Sequence, residues 1–301
     1  MYTNKAYIIK TKTNLHAGSG DTNFGIVDKE VQRDTVTNLP VINSSSFKGA
    51  VRDHFSDLLS SQNDLPLGSD FVKPFVFNTI FGDEQKNLDA EDAKTYSKLP
   101  KQGLVKFIDA KLLFLPLRSN KKPFFHVTSL ATLQEAKSFL ESFGISLELD
   151  AIQTDKSVVI GTEGATVEDV ECQPLQADFS KIKKLFGIEN LAIFNDEDFN
   201  EAVSNLPVIV RNKIATNEDK NGNLWYEEVV PRESIFYTVL CYYNNLDDST
   251  KDQRGRSDKN KFDMAYRLFE EKLLKDSIQI GANASIGYGI TNFSKLGESH
   301  E

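Results

Sequence analysis

A chain of 301 residues with 40 % hydrophobic content can bury one large core or two modest ones. Its start, MYTNKAYIIK, has no apolar leader core and no run of about 18 apolar residues follows, so the expectation is a cytoplasmic chain without signal peptide or membrane span; Cys172 and Cys241, far apart and outside any CxxC or Cys/His spacing, argue against a disulfide framework and a structural zinc site. The formal charge of -9 speaks against a phosphate-rich partner, yet residues 131–201 hold five Lys against fifteen Asp or Glu, which leaves the rest of the chain close to neutral.

In chain order, KAYIIKTKTNLH is rich in Ile, Thr and Tyr and predicts a strand over Lys5 to His16, running into the glycine-bearing loop HAGSG. SSSFKGAVRDHFSDLLSS sets Phe47, Val51, Phe55, Leu58 and Leu59 at helical spacing behind three candidate N-cap serines, Ser44 to Ser46. GLVKFIDAKLLFLPL, Gly103 to Leu117, predicts a strand or pair of strands, and TSLATLQEAKSFLESF an amphipathic helix. Farther on, apolar strands flank the polar NEDKNGN, which predicts a projecting hairpin whose flank carries the only tryptophan, Trp225. NKFDMAYRLFEEKLL places Phe262, Ala265, Leu268, Phe269 and Leu273 on one helical face, and IQIGANASIGYGI reads as strand, glycine-rich turn and strand. No fixed-period repeat or low-complexity tract interrupts this order, which is that of an α+β, ferredoxin-like fold with insertions, the acidic stretch being the largest.

Four stretches can carry chemistry. Lys48 and Arg52 lie one turn apart at a serine-rich helix start, a spacing that by itself points first to a solvated, capped surface helix and second to a phosphate cradle. GANASIGYG, Gly281 to Gly289, fits a tight turn or a close backbone approach, and is neither a P-loop nor a dinucleotide fingerprint. Of the four histidines, His54 and His126 sit near apolar faces and His300 at the tail, while His16 stands where a strand meets a glycine loop and is a candidate ligand contact or proton shuttle. Asp28, in GIVDKEVQRD, is either a solvated turn residue or a carboxylate that holds a divalent ion or helps activate a ribose 2′-hydroxyl.

Taken together, LHAGSGDTNFGIVDKEVQRD, LPVINSSSFKGAVR, NTIFGDE, DAKLLFLPLRSNKKPFFHVTS, LWYEEVVPRESIFY and IQIGANASIGYG, in this order along most of the chain, resemble the RAMP superfamily of CRISPR proteins, and within it the backbone subunit of Cmr-type, type III-B, effector complexes. The resemblance implies a single domain over 1–301: a modified ferredoxin-like, RRM-like core with a large insertion, here 131–201, and a projecting thumb β-hairpin around 211–232. It implies a filament of copies along a CRISPR RNA, contacts with other Cmr-complex subunits, and cleavage of paired target RNA at regular intervals by a divalent-metal-dependent endoribonuclease using Mg2+ or Mn2+, with no membrane partner. By position, the family's loop aspartate falls on Asp28, its guide-binding serines and lysine on Ser45, Ser46 and Lys48 with Arg52 one turn on, and its glycine-rich backbone contact on Gly281, Gly287 and Gly289.

In that frame Asp28 would be catalytic and metal-holding, His16 a second catalytic candidate, and Trp225 either a base-stacking or a core residue, with Glu227 and Glu228 as nearby acids without an assigned role. Two departures stand out. Asn43 and Ser44 replace the family's Pro-Gly, which would loosen the helix start, and Ala282 follows Gly281 where glycines are often paired, which would constrain the backbone beside RNA. Two other readings stay open: a non-catalytic RNA-binding scaffold, and the equivalent subunit of a Csm-type complex, against which LWYEEVVPRESIFY weighs. The acidic segment would repel RNA and is expected on an outer surface or a subunit junction.

Overall fold

The computed structural model describes residues 1–20, 27–61, 69–82, 102–149, 153–213, 223–244 and 258–297. Strand β1 (Tyr2–Thr11) is followed by β2 (Val41–Ile42), helices α1 (Ser44–Ser61) and α2 (Ser69–Phe81), strands β3 (Val105–Phe107), β4 (Ala110–Arg118) and β5 (Phe124–Ser129), and α3 (Leu130–Ser142). The acidic stretch then adds β6 (Val158–Ile160), β7 (Thr166–Val167), β8 (Val170–Glu171), β9 (Gln173–Leu175), α4 (Ser180–Phe186), β10 (Leu191–Phe194) and α5 (Asp196–Ser204). Strands β11 (Val208–Lys213) and β12 (Asn223–Glu228) form a hairpin, and β13 (Ile235–Tyr243), α6 (Asp258–Lys275), β14 (Ile278–Gln279) and β15 (Ile290–Lys295) complete the fold.

The long sheet runs β14-β15-β1-β13-β4-β5-β10-β6-β9, with β2 on β4 and β3 on β13. Strand β1 lies in its middle, antiparallel to both β13 and β15, and its alternation splits the core. Tyr7 and Ile9 pack with Phe47, Phe55 and Phe269 from α1 and α6, whereas Ala6 and Ile8 pack with Leu133, Ala136, Ile182 and Phe186 from α3 and α4. Both faces of the central strands are therefore covered, and the α+β architecture has helices above and below one sheet. Residues 131–201 supply the second cover: their apolar side chains press on the sheet, and their strand β10 joins it by pairing parallel to β5. Lys and Glu side chains of α3 and α4 stay outside, as the exposed Lys181–Glu148 and half-exposed Lys137–Glu141 pairs show.

Phe47 anchors the first turns of α1. It is fully buried, edge-on to Phe107 at 5.3 Å and stacked on Phe293 at 5.7 Å. The predicted first strand stops at Thr11 instead of His16, because Lys12 and Thr13 both turn to the carbonyl of Ile290 (2.7 and 3.4 Å) and leave the ladder. The predicted pair over Gly103 to Leu117 is β3 and β4; of the hairpin's NEDKNGN tip only Asn223 is described, at the start of β12, and residues 217–222 lie outside the described residues, as does His300. Among the described residues no helix is long and apolar enough to cross a membrane.

Candidate functional site

Four segments meet at the end of the sheet where β1 stops. The β1 exit loop pairs with the hairpin's exit, Leu15 and Val230 exchanging backbone bonds of 2.8 Å each way. It also carries the terminal glycine-rich loop: His16 O accepts from Ala282 N and Asn14 O from Gly289 N, both at 2.8 Å. Gly281 has φ of 85° and Gly289 72°, and a Cβ on them would run into the carbonyls of His16 and Ile280, so these two positions require glycine. Ala282 is not among the positive-φ residues; the left-handed positions are Gly281, Asn283, Gly287 and Gly289, so the expected constraint at Ala282 does not arise.

Asp28 lies in a segment laid along β12. Its backbone N–H and that of Lys29 both reach the Tyr226 carbonyl at 3.1 Å, Lys29 O accepts from Glu228 N at 2.9 Å, and Asp28 Oδ2 accepts from Tyr226 N at 2.7 Å. One carboxylate oxygen is thus committed to the hairpin. The side chain is half-buried, neither a bare solvated turn residue nor a core group.

His16 is 3 % exposed, and its Nδ1 is 2.7 Å from the Glu228 carbonyl, which fixes the tautomer that donates from Nδ1. Nε2 lies beside Gly18, where a Cβ would crowd it at 3.0 Å. Glu227 and Glu228 point to opposite sides of β12 and are both buried. Glu227 accepts from Asn283 and, at 3.4 Å, from Arg211 Nε, with His16 Nδ1 at 3.6 Å. Glu228 accepts from Arg33 Nη2 at 2.5 Å and Val31 N at 3.0 Å. Each is neutralised by one arginine, and together they tie the hairpin to the glycine-rich loop and to the segment after Asp28.

The start of α1 is held from two directions that the sequence did not suggest. Asp109 accepts from Ser44 N at 2.6 Å, supplying the cap expected of the serines. Gln32 donates to Gly18 O at 3.1 Å and to Ser46 Oγ at 2.9 Å, and accepts from Asn43 N at 2.8 Å, so the Asn43–Ser44 entry is braced, not loose. Ser45 is exposed. Lys48 is half-buried, and desolvation together with the Arg52 charge lowers its pKa, a state that an anion would relieve. The Arg52 guanidinium lies 5.5 Å from the Phe77 ring. Trp225 is half-buried with Lys29 Nζ 5.2 Å over its ring, and Arg211 stacks on Tyr288 at 4.6 Å. On the other face of the hairpin Val208, Val210, Leu224 and Tyr226 are all exposed.

His126 and His54 have partners inside the fold. Burial pushes His126 down to about 4, keeping it neutral against the Glu233 carbonyl at 3.1 Å, and His54 sits 3.3 Å from Asp276. Glu168 of the acidic segment pairs with Arg118 at 2.8 Å and, with Asp169, Asp198 and Glu201, rims a cleft of about 690 Å³ floored by Leu115, Leu117 and Phe194 and reaching Pro207 and Pro231 at the hairpin base. Among the described residues no three His, Cys, Asp or Glu side chains group as metal ligands. Asp28 offers one uncommitted oxygen, which suits an ion that keeps waters and takes its other ligands from phosphate.

Comparison with known proteins identifies the family and the fold. A Pyrococcus furiosus protein named CRISPR system Cmr endoribonuclease Cmr4 is 28 % identical over 313 residues, covering 95 % of this chain and 94 % of that one. In a solved structure of the type III-B Cmr-beta complex bound to cognate target RNA, one chain superposes with a TM-score of 0.68 at 21 % identity, over 98 % of this chain and 97 % of that chain. Oligomeric Cmr4 from Pyrococcus furiosus gives 0.63 at 21 % identity, over 98 % and 99 % of the two chains. The model of the RAMP superfamily matches residues 8–292, and the chain belongs to that superfamily.

Proposed function

We propose that this chain is a CRISPR RNA-binding backbone subunit of a Cmr-type complex, acting with further copies of itself and with other Cmr subunits, and that it cleaves paired target RNA beside Asp28. The observation that carries the reading is the convergence at one sheet end of the Asp28 segment, the glycine-rich loop, the Lys48 helix start and the hairpin: Tyr226 N on Asp28 Oδ2 at 2.7 Å ties the first to the hairpin, Asn283 on Glu227 ties the glycine-rich loop to it, and Gln32 on Ser46 ties in the helix start. The order β15-β1-β13-β4, with α1 between β1 and β4 and α6 between β13 and β15, supports reading the centre as a ferredoxin-like, RRM-like core. We take 131–201 as its insertion and 211–232 as its thumb, within one domain. An RRM reads RNA on its open sheet face. Here that face is covered, with Ala6 and Val239 at 5 % and 0 % exposure, so RNA has to bind at the sheet's end.

Its relatives support the same reading, since one is named an endoribonuclease and another belongs to a complex solved on cognate target RNA. The contacts on offer are of the phosphate and ribose kind: backbone N–H groups of the glycine-rich loop, Ser45, Ser46, Lys48 and Arg52. Sequence choice is left to base pairing. The exposed Val208, Val210, Leu224 and Tyr226 face suits a hairpin that lies against unstacked bases, splaying one nucleotide so that its 2′-hydroxyl can attack in line. Asp28 would hold a Mg2+ or Mn2+ ion jointly with RNA phosphate, and that ion would offset charge on the phosphate. His16 Nε2 is the other proton acceptor at the site.

Asp28→Asn is the discriminating variant, because asparagine keeps an oxygen for Tyr226 N while losing the charge. Target cleavage by the assembled complex is expected to fall at least a hundredfold with guide binding unchanged. Undiminished cleavage would leave the second reading, a non-catalytic scaffold, which the engagement of Asp28 with the hairpin backbone favours. Titrating magnesium and manganese with labelled target tests the metal.

A further inference from the structure

We propose that Arg211 and Trp225 form a two-donor site for a non-bridging oxygen of one RNA phosphodiester, a role that rests on the RNA-binding reading above. The two residues are directly opposite each other on the paired hairpin strands, so their side chains are neighbours on one face. Trp225 Nε1 and Arg211 Nη2 are both buried, and among the described residues neither has a hydrogen-bond partner. A desolvated N–H without an acceptor is destabilising, and buried polar atoms in folded proteins are almost all paired. Two such donors on adjacent side chains, at the edge of the site, mark a place built for an acceptor.

The chemistry narrows what that acceptor is. Indole and guanidinium nitrogens only donate, so the ligand atom is an oxygen with free lone pairs. Arg211 meets Glu227 through Nε at 3.4 Å, but Glu227 is shared with Asn283, and the Nη2 end of the guanidinium has no carboxylate. Lys29, whose ammonium sits 5.2 Å over the Trp225 ring, has no carboxylate partner among the described residues and adds a second positive charge. Cationic donors favour an anionic oxygen over a base carbonyl or a hydroxyl. Tyr288, under the Arg211 guanidinium at 4.6 Å, and the hairpin strand hold the site between the glycine-rich loop and the Asp28 segment. The assignment gives Trp225 a role other than stacking, since one ring face is already under Lys29.

The experiment uses the complete guide-loaded complex with Trp225→Phe, which keeps a ring and loses the N–H. Should that variant fail to assemble, the benzothiophene analogue of tryptophan at position 225 removes the N–H at nearly constant shape. A single methylphosphonate linkage is walked along the guide and then the target, and binding is measured for wild type and variant. We expect one linkage position at which methylphosphonate weakens wild-type binding about tenfold and weakens the variant's binding little further. Equal scans for the two proteins would show that the donors hold a buried water and would overturn the proposal. Coupling to a 2′-deoxy substitution instead would also overturn it, by making the acceptor a hydroxyl. Wild-type complex that binds and cleaves target during equal scans would discard this site alone; wild type that binds no RNA would discard the RNA-binding reading with it.

Discussion

Two polar clusters on β1 and β13 differ in how completely they are satisfied. Toward the start of β1, Glu270 accepts from Lys5 at 2.6 Å and from Tyr7 at 2.7 Å with Lys295 at 3.7 Å, and the Tyr7 hydroxyl also meets that of Tyr242 at 2.8 Å. Burial alone would raise the Glu270 pKa, but these bonds and the lysine charges bring it below the usual carboxylate range, and burial drives Tyr7 far above its ordinary value. At the other end of the same strands, the cluster around His16 and Asp28 leaves two buried donors without acceptors, holds Lys48 desolvated beside Arg52, and keeps Asp28 half-open. The first cluster closes on itself and works for stability. The second leaves cationic and donor groups open, in keeping with the RNA-binding role proposed above.

The largest expected effect reaches both clusters through the shared core. Phe47→Ala should cost about 3–5 kcal/mol, because a fully buried ring between Phe107 and Phe293 leaves a cavity; thermal melting checks this, and guide binding should fall with it as the α1 start loses its anchor. Gly289→Ala should cost about 2–4 kcal/mol, since it adds a Cβ against the Ile280 carbonyl at φ 72°. A melt within a degree of wild type would show that the glycine-rich loop is not held as described.

Glu270→Gln separates the clusters by pH. A carboxylate depressed in the folded state contributes stability above its unfolded pKa, near 4.5, and loses that contribution as pH falls through its folded value. The variant should therefore be about 1–3 kcal/mol less stable at pH 7 and should approach wild type toward pH 3, with RNA binding at pH 7 unchanged. Altered RNA binding in this variant would break the division into a structural and a functional end. Lys48→Ala should do the reverse. Its melting temperature should stay or rise slightly, while guide affinity drops and the slope of log affinity against log salt shrinks by about 0.7. The smallest change is expected of Tyr7→Phe, about 1 kcal/mol in stability with cleavage untouched.

Much of this was legible beforehand. Phe47, Val51 and Phe55 announced α1 by their spacing, and Ala265, Phe269 and Leu273 announced α6, because the apolar period of a helix is a local property. The site was legible as a set of motifs and illegible as a geometry. Gln32 and Asp109, which brace the helix start, carried no signal, since a lone amide or carboxylate has no pattern until its partners are placed. Glu227 and Glu228 carried no assigned role in the sequence, and only burial with Arg211 and Arg33 shows that they are fasteners.

By itself the sequence determined the order of elements, the glycines that a crowded loop needs, and where charge is concentrated, all of which depend on neighbours within a turn or a strand. The tertiary structure decided that Asp28 is tied to Tyr226, 198 residues away, and that two buried donors on paired hairpin strands have no partner among the described residues. It also decided that the acidic segment turns its apolar side to the sheet and covers its second face. Such outcomes depend on which strands pair and on what is removed from water, and neither is written in any local stretch of residues.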